Sequence, residues 1–352
     1  LAANTTVSIG WFPLYCILLA LILVIALVDI RVSTRVQLAF AVIGVLTILV
    51  LSVAIVVHGG AAGLTARPFD PGLAPSTHGL SIAVVLAFTG FIGFEAAAVL
   101  GEETARPRRV IPRAILGTVL LATAYFVFVT WAQAVGYGVA GSARWAADPT
   151  ALDTLATRYV GHWFSTLVDS VVVVDAFVAA LAGVHLTART LFALGRDRAL
   201  PPVFAATTRH FRSPYVGIGV VVALTLVLGA TLGRHYGVLT YFFLMATTAS
   251  LGILLVYAMV ALGGIVFFWR ASREPGQSWN PVTDLVLPLA AIAICGYAIY
   301  GSIFPRPPAP ISYSLWIALG VLAAGLLILA VLMVSRPQRV RAFGQAFDTV
   351  ER

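Results

Sequence analysis

Apolar residues in this chain fall in long runs broken by short polar segments. The runs cover about 11–28, 38–57, 80–100, 114–137, 164–194, 216–232, 236–269, 285–304 and 313–334. A helix needs roughly 20 mostly apolar residues to cross a bilayer, so the pattern predicts nine spans. The mixed segment 139–163 predicts a short interfacial helix over 150–160. The 34 uncharged residues of 236–269 are long for one helix and short for two with a turn.

Arginine decides between those two options. One crossing places 17 arginines on one side of the membrane and 5 on the other, whereas two crossings give 12 and 10. Cytoplasmic loops carry the excess of positive charge, so one long helix is expected. The N-terminus of this chain is then outside and its C-terminus cytoplasmic. An odd number of spans with an outside start points to helices before Leu1.

Composition narrows the class further. Of 352 residues, 60% are hydrophobic and 10% charged, and mean hydropathy is +0.99. Soluble domains carry about 25% charged residues. This chain could not cover a soluble surface, which excludes a cytosolic enzyme, a nucleic-acid binder and a secreted disulfide scaffold. The net charge of +8 comes from arginine against 14 acidic residues, and the chain has no lysine. Cys16 and Cys295 sit in separate apolar runs and are expected as small core residues. No zinc-type His/Cys spacing, phosphate-binding glycine loop or nucleophile elbow is present, so no catalytic residue, metal or cofactor is expected.

Charges at bilayer depth cost roughly 2.5–3.5 kcal/mol on insertion scales, so each needs a reason. Glu95 lies in AFTGFIGFEAAAVL, close behind Gly90 and Gly93. Two glycines three apart weaken a helix. Unwound backbone inside a membrane persists only where it is buried in protein or lines a cavity. The alternative is close packing, since such glycines also let a neighbouring helix approach. Asp175 and His185 share the fifth run. Ten residues apart, they point to different faces of an ideal helix. Asp175 is open to a functional or a structural pairing, and His185 to a titrating or a helix-contact role. The loop 101–114 holds Glu102, Glu103, Arg106, Arg108, Arg109 and Arg113 within fourteen residues, together with Pro107 and Pro112, which are expected to end one helix and start the next. Such a cluster anchors topology and suits an ion-paired gate. A second cluster, ALGRDRALP, follows the fifth run.

Those loops carry a family resemblance. GFIGFEAAAVLGEETARPRRVIPRAI resembles the sixth helix and following loop of amino acid–polyamine–organocation permeases. ARTLFALGRDRALPPVFA, followed by Ser213–Pro214, resembles the end of their eighth helix and its loop. VDIRVSTRVQ, WAQAVGYG and LGILLVYAMVALGGIVFFWR are similar to the actinobacterial branch. The resemblance implies an all-α membrane protein of the LeuT-type inverted-repeat fold, with the nine spans as helices 4 to 12 of twelve. One transporter domain is expected over 1–352. Residues 11–57 close the first repeat, 80–269 form the second, 285–334 are accessory helices and 335–352 a short cytoplasmic tail.

The resemblance further implies secondary transport of amino acids or amines across the plasma membrane by alternating access, coupled to protons or run as exchange. The expected partners are that small solute, the lipid bilayer and protons. Phe88, Thr89, Gly90, Phe91, Ile92 and Gly93 would bind substrate along a broken helix. Glu95, Asp175 and His185 would serve coupling and gating, with Glu102, Glu103, Arg106 and Arg109 in the cytoplasmic loop. Three departures stand out. Helices 1 to 3 have no counterpart here, His185 replaces an asparagine common in helix 8, and Gly44 stands where helix 5 often carries a charge. A permease-like solute sensor and a non-transporting fragment stay open as alternatives.

Overall fold

The computed structural model describes residues 10–28, 30–73, 77–99, 104, 106–273, 279–304 and 306–335. Its elements are helical throughout: α1 (Trp11–Leu27), α2 (Ile30–Val57), α3 (Thr77–Phe91), α4 (Ala96–Val99), α5 (Pro107–Tyr137), α6 (Ser142–Ala147), α7 (Ala151–Tyr159), α8 (His162–Arg196), α9 (Tyr215–Leu228), α10 (Arg234–Tyr236), α11 (Val238–Ala271), α12 (Leu287–Ile303) and α13 (Ser314–Ser335). Among the described residues, seven stretches are long and apolar enough to cross a membrane. α1 is a shorter apolar helix. The run 236–269 is one continuous helix, α11, and α7 occupies the mixed segment.

The helices expose large apolar side chains, such as Leu121 at 74% and Val334 at 86%. In water this surface would drive aggregation; a bilayer accepts it, because lipid tails are as apolar as leucine. The protein is therefore a multi-pass membrane protein.

The chain divides into two compact units. The first holds α1, α2 and α4–α9. Its larger core joins Leu51 and Ile55 of α2, Tyr137 of α5, Leu155 and Tyr159 of α7, and Phe164 and Val168 of α8. A second core joins Leu19, Ile22 and Ala26 of α1 with Leu181, Val184 and Ala188 of α8 and Ile218 and Val222 of α9. Small residues bring backbones together there. A Cβ built on Gly217 of α9 would stand 2.9 Å from the Ala188 carbonyl oxygen of α8. Such close approach is how membrane helices gain packing without a hydrophobic driving force.

The connection between α5 and α7 is organised by Asp148. Its carboxylate accepts from the Tyr137 hydroxyl at 2.6 Å, the Thr154 hydroxyl at 2.7 Å and the Thr150 N–H at 2.9 Å. These donors hold the Asp148 carboxyl down at about 2, with the Tyr137 hydrogen bond contributing most. A carboxylate depressed in the fold stabilises above its unfolded pKa, near 3.8, and loses that contribution as pH falls through the folded value. The stability advantage of the wild type over Asp148→Asn is therefore expected to hold above about pH 4 and fade towards about pH 2. Thermal unfolding in detergent across that range checks it. A difference that stays constant down to pH 2 would show that the charge plays no part.

The second unit holds α3 and α10–α13. Its core is Leu254 of α11 with Cys295 and Ala298 of α12, packed by Val84 and Phe88 of α3. The Ser314 hydroxyl of α13 donates to the Leu244 carbonyl of α11 at 3.3 Å, fixing a third helix to α11.

Candidate functional site

The apolar run 80–100 does not form one helix. α3 stops at Phe91, residues 92–95 turn, and α4 starts at Ala96. The cause is local. Gly93 has φ +117°, a conformation that side-chain-bearing L residues rarely adopt. A packing role for this glycine would crowd its missing side chain, but a Cβ built on Gly93 meets nothing within 4 Å. Between the two alternatives left by the sequence, Gly93 serves the turn. Ile92 N–H still reaches Thr89 O, at 3.4 Å, just past the end of α3.

Just before the break, α3 is fastened within its own unit. Phe88 packs on the Leu254–Cys295–Ala298 core. The Thr89 hydroxyl lies 3.0 Å from that of Ser250 on α11, and Ser250 is only 1% exposed. The Ser250 hydroxyl also bonds the Ala246 carbonyl at 2.8 Å. A mid-membrane hydroxyl pair thus orients the last turn before the glycine. Gly90 is helical and exposed, and Ile92 is exposed in the turn. Ser250 carries no motif of its own, so sequence reasoning passes over it.

Past the break, Glu95 is half-buried at the entry to α4, which packs on α5 and α8 within the first unit. Asp175 and His185 belong to the same unit but face different neighbours. Asp175 presses against Gly44 of α2; a Cβ at position 44 would overlap its carboxylate. Tyr125 of α5 lies within electrostatic reach of Asp175. His185 is 8% exposed and lines a separate cavity with residues 207–214.

The loop cluster lies partly outside the described residues. Glu102 and Glu103 lie outside the described residues. Arg106 is exposed at φ +56° and caps α5, its carbonyl accepting the N–H groups of Arg109 and Val110. Arg109 is exposed. Pro107 opens α5 as expected. Pro112 instead sits inside that helix, where its ring forgoes one i→i−4 hydrogen bond. In the second cluster, Arg196 and Asp197 pair at 3.2 Å, each 40% exposed. An exposed pair of this kind contributes only ~0–1 kcal/mol. Among the described residues, no group of three or more His, Cys, Asp or Glu is placed to hold a metal ion.

Long apolar helices, one of them interrupted beside a carboxylate, are the architecture of a membrane transporter. The profile of the amino acid permease family matches residues 3–329, and the chain belongs to that family, within the amino acid–polyamine–organocation superfamily. An uncharacterized transporter of Mycobacterium tuberculosis is 29% identical over 312 residues, covering 85% of this chain and 67% of its own length. The branched-chain amino acid permease BcaP of Bacillus subtilis is 22% identical over 298 residues, covering 85% and 60%. The low-affinity putrescine importer PlaP of Escherichia coli is 29% identical over 257 residues, covering 71% and 52%. The matched region thus spans 52–67% of these relatives. The protein is a transporter rather than an enzyme.

Proposed function

We propose that this chain carries the substrate-gripping repeat of a secondary permease that moves an amino acid or a related amine across the plasma membrane by alternating access. The observation that carries this reading is the break in the run 80–100 at Gly93, flanked by Thr89 and Glu95. In transporters, interrupted helices present helix ends and irregular backbone to the charged ends of a small solute. Phe88, Thr89, Gly90, Phe91, Ile92 and Gly93 supply that grip, with the Thr89–Ser250 pair holding the last helical turn in place. Glu95 couples the cycle to protons by gaining and losing its charge, and Asp175 is the second acidic group at membrane depth. The named relatives that act on branched-chain amino acids and on putrescine support the solute class. The arginine asymmetry supports a cytoplasmic position for Arg106, Arg109, Arg196 and Arg198.

Binding of labelled leucine and labelled putrescine to the purified chain in lipid nanodiscs tests the reading. Saturable binding of one of them is expected. Gly93→Val should reduce that affinity at least about tenfold, because a β-branched residue cannot keep φ positive. No saturable binding of any amino acid or amine to the folded protein would refute the proposal, as would full affinity in Gly93→Val.

A further inference from the structure

The C-terminal part of α8 and the loop before α9 enclose a cavity of about 120 Å³. One water needs roughly 10–15 Å³ of such space, so there is room for a tetrahedral oxyanion. The polar groups on its wall are donors: His185 and Arg189 of α8, with Thr207, Arg212 and Ser213 of the loop. None of the lining residues is acidic. His185 and Arg189 are one helical turn apart and share a face.

Two observations point to a ligand. His185 is 8% exposed, and its Nε2 is buried without a hydrogen-bond partner. Buried polar groups are nearly always paired, so such an atom calls for a partner from outside the chain. Arg189 and Arg212 line the same cavity as His185, and the planar donor fork of a guanidinium matches phosphate oxygens. The loop that presents Arg212 is tied down. Thr208 N–H bonds Ser213 O at 2.9 Å, Arg212 N–H bonds Thr208 O at 3.0 Å, and Ser213 N–H bonds the Thr208 hydroxyl at 3.0 Å. Arg212 itself sits at φ +54°. Its side chain is exposed and lines the cavity, in the loop between the spans that end at Arg196 and begin at Tyr215.

We propose that this cavity is a phosphate-binding site, formed by His185, Arg189 and Arg212, for the phosphate of an anionic phospholipid headgroup or for free inorganic phosphate. The site is separate from the helix break and does not rest on the transport reading.

The test uses the purified full chain in two arms. In the first, native mass spectrometry counts phosphatidylglycerol and phosphatidylcholine retained from mixed nanodiscs. In the second, inorganic phosphate is titrated onto delipidated protein, with chloride as the control and thermal stability as the readout. Binding in one arm at least is expected, weakened at least about tenfold by Arg212→Gln and by Arg189→Gln. Arg273→Gln, whose guanidinium stacks on Trp269 instead, should leave it unchanged. Selective retention of phosphatidylglycerol alone assigns the site to lipid, and a response to phosphate alone assigns it to the free ion. Arg212 lies on an exposed loop, so its variant carries the test if Arg189→Gln does not fold. No preference over phosphatidylcholine and chloride in either arm would overturn the proposal. So would binding that survives Arg212→Gln.

Discussion

Glu95→Gln is expected to make uptake independent of pH. A carboxylate at membrane depth costs roughly 2.5–3.5 kcal/mol on insertion scales, and protonation removes that cost. Glu95 stands half-buried, directly after the break at Gly93. A helix interruption is where two halves of a span can tilt independently, so the surroundings of Glu95 are expected to change during the cycle. If about 1.4 kcal/mol of the burial cost differs between the inward-open and outward-open states, protonation shifts a rate about tenfold. Glutamine keeps the shape and the hydrogen-bonding end but cannot take up the proton. Uptake of labelled solute into proteoliposomes, measured between about pH 5 and pH 8, separates the cases. Glu95→Gln should flatten the wild-type dependence to less than about twofold across that range. A variant that keeps the wild-type profile would remove Glu95 from coupling and leave Asp175 as the acid to examine.

Gly44→Val is expected to be strongly destabilising, and Asp175→Ala should relieve it. Gly44 is buried on α2, and the Asp175 carboxylate of α8 occupies the space that a side chain would need. The glycine forms a notch that shelters a carboxylate within a helix contact rather than in lipid. Filling it forces the carboxylate or the helix aside, and overpacking of this kind typically costs 1–3 kcal/mol. Removing the carboxylate frees the notch again, so the double variant should recover at least about half of the single-variant loss. Thermal unfolding of the four proteins in one detergent gives the cycle. Losses that simply add would show that the two positions do not share the space. The pair also accounts for the glycine at position 44: any side chain there would overlap the Asp175 carboxylate.

Much of the molecule is legible from residue order. Apolar runs mark the helices, because burial in lipid demands about 20 apolar residues in succession. Among the described residues, seven of the nine runs contain a stretch long and apolar enough to cross, while 11–28 holds the shorter α1 and 80–100 breaks into α3 and α4. The one-helix reading of 236–269 follows from the arginine split, and α11 is one helix of 34 residues. Pro107 marks the start of α5. Gly90 and Gly93 mark a weak point in a span, but spacing alone leaves bend and contact equally open. The positive φ of Gly93, with no atom within 4 Å of a Cβ built there, decides for the bend, whereas Gly90 stays within α3. Pro112 reads as a boundary from its neighbours and lies inside a helix that continues to Tyr137 despite the i→i−4 hydrogen bond it forgoes.

Long-range pairs are a different matter. Asp175 and His185 look alike in the sequence, as single polar residues in one apolar helix. One fits a notch at Gly44, 131 positions earlier in the chain, and the other faces a loop that follows the helix. Thr89 finds Ser250 across 161 positions. Membrane depth, helix identity and the weak turn are properties of neighbouring residues, and the sequence determined them by itself. Which polar side chain meets which partner depends on the rotation and approach of helices packed side by side. That depends on the sum of contacts along whole helices, and only the tertiary structure decided it.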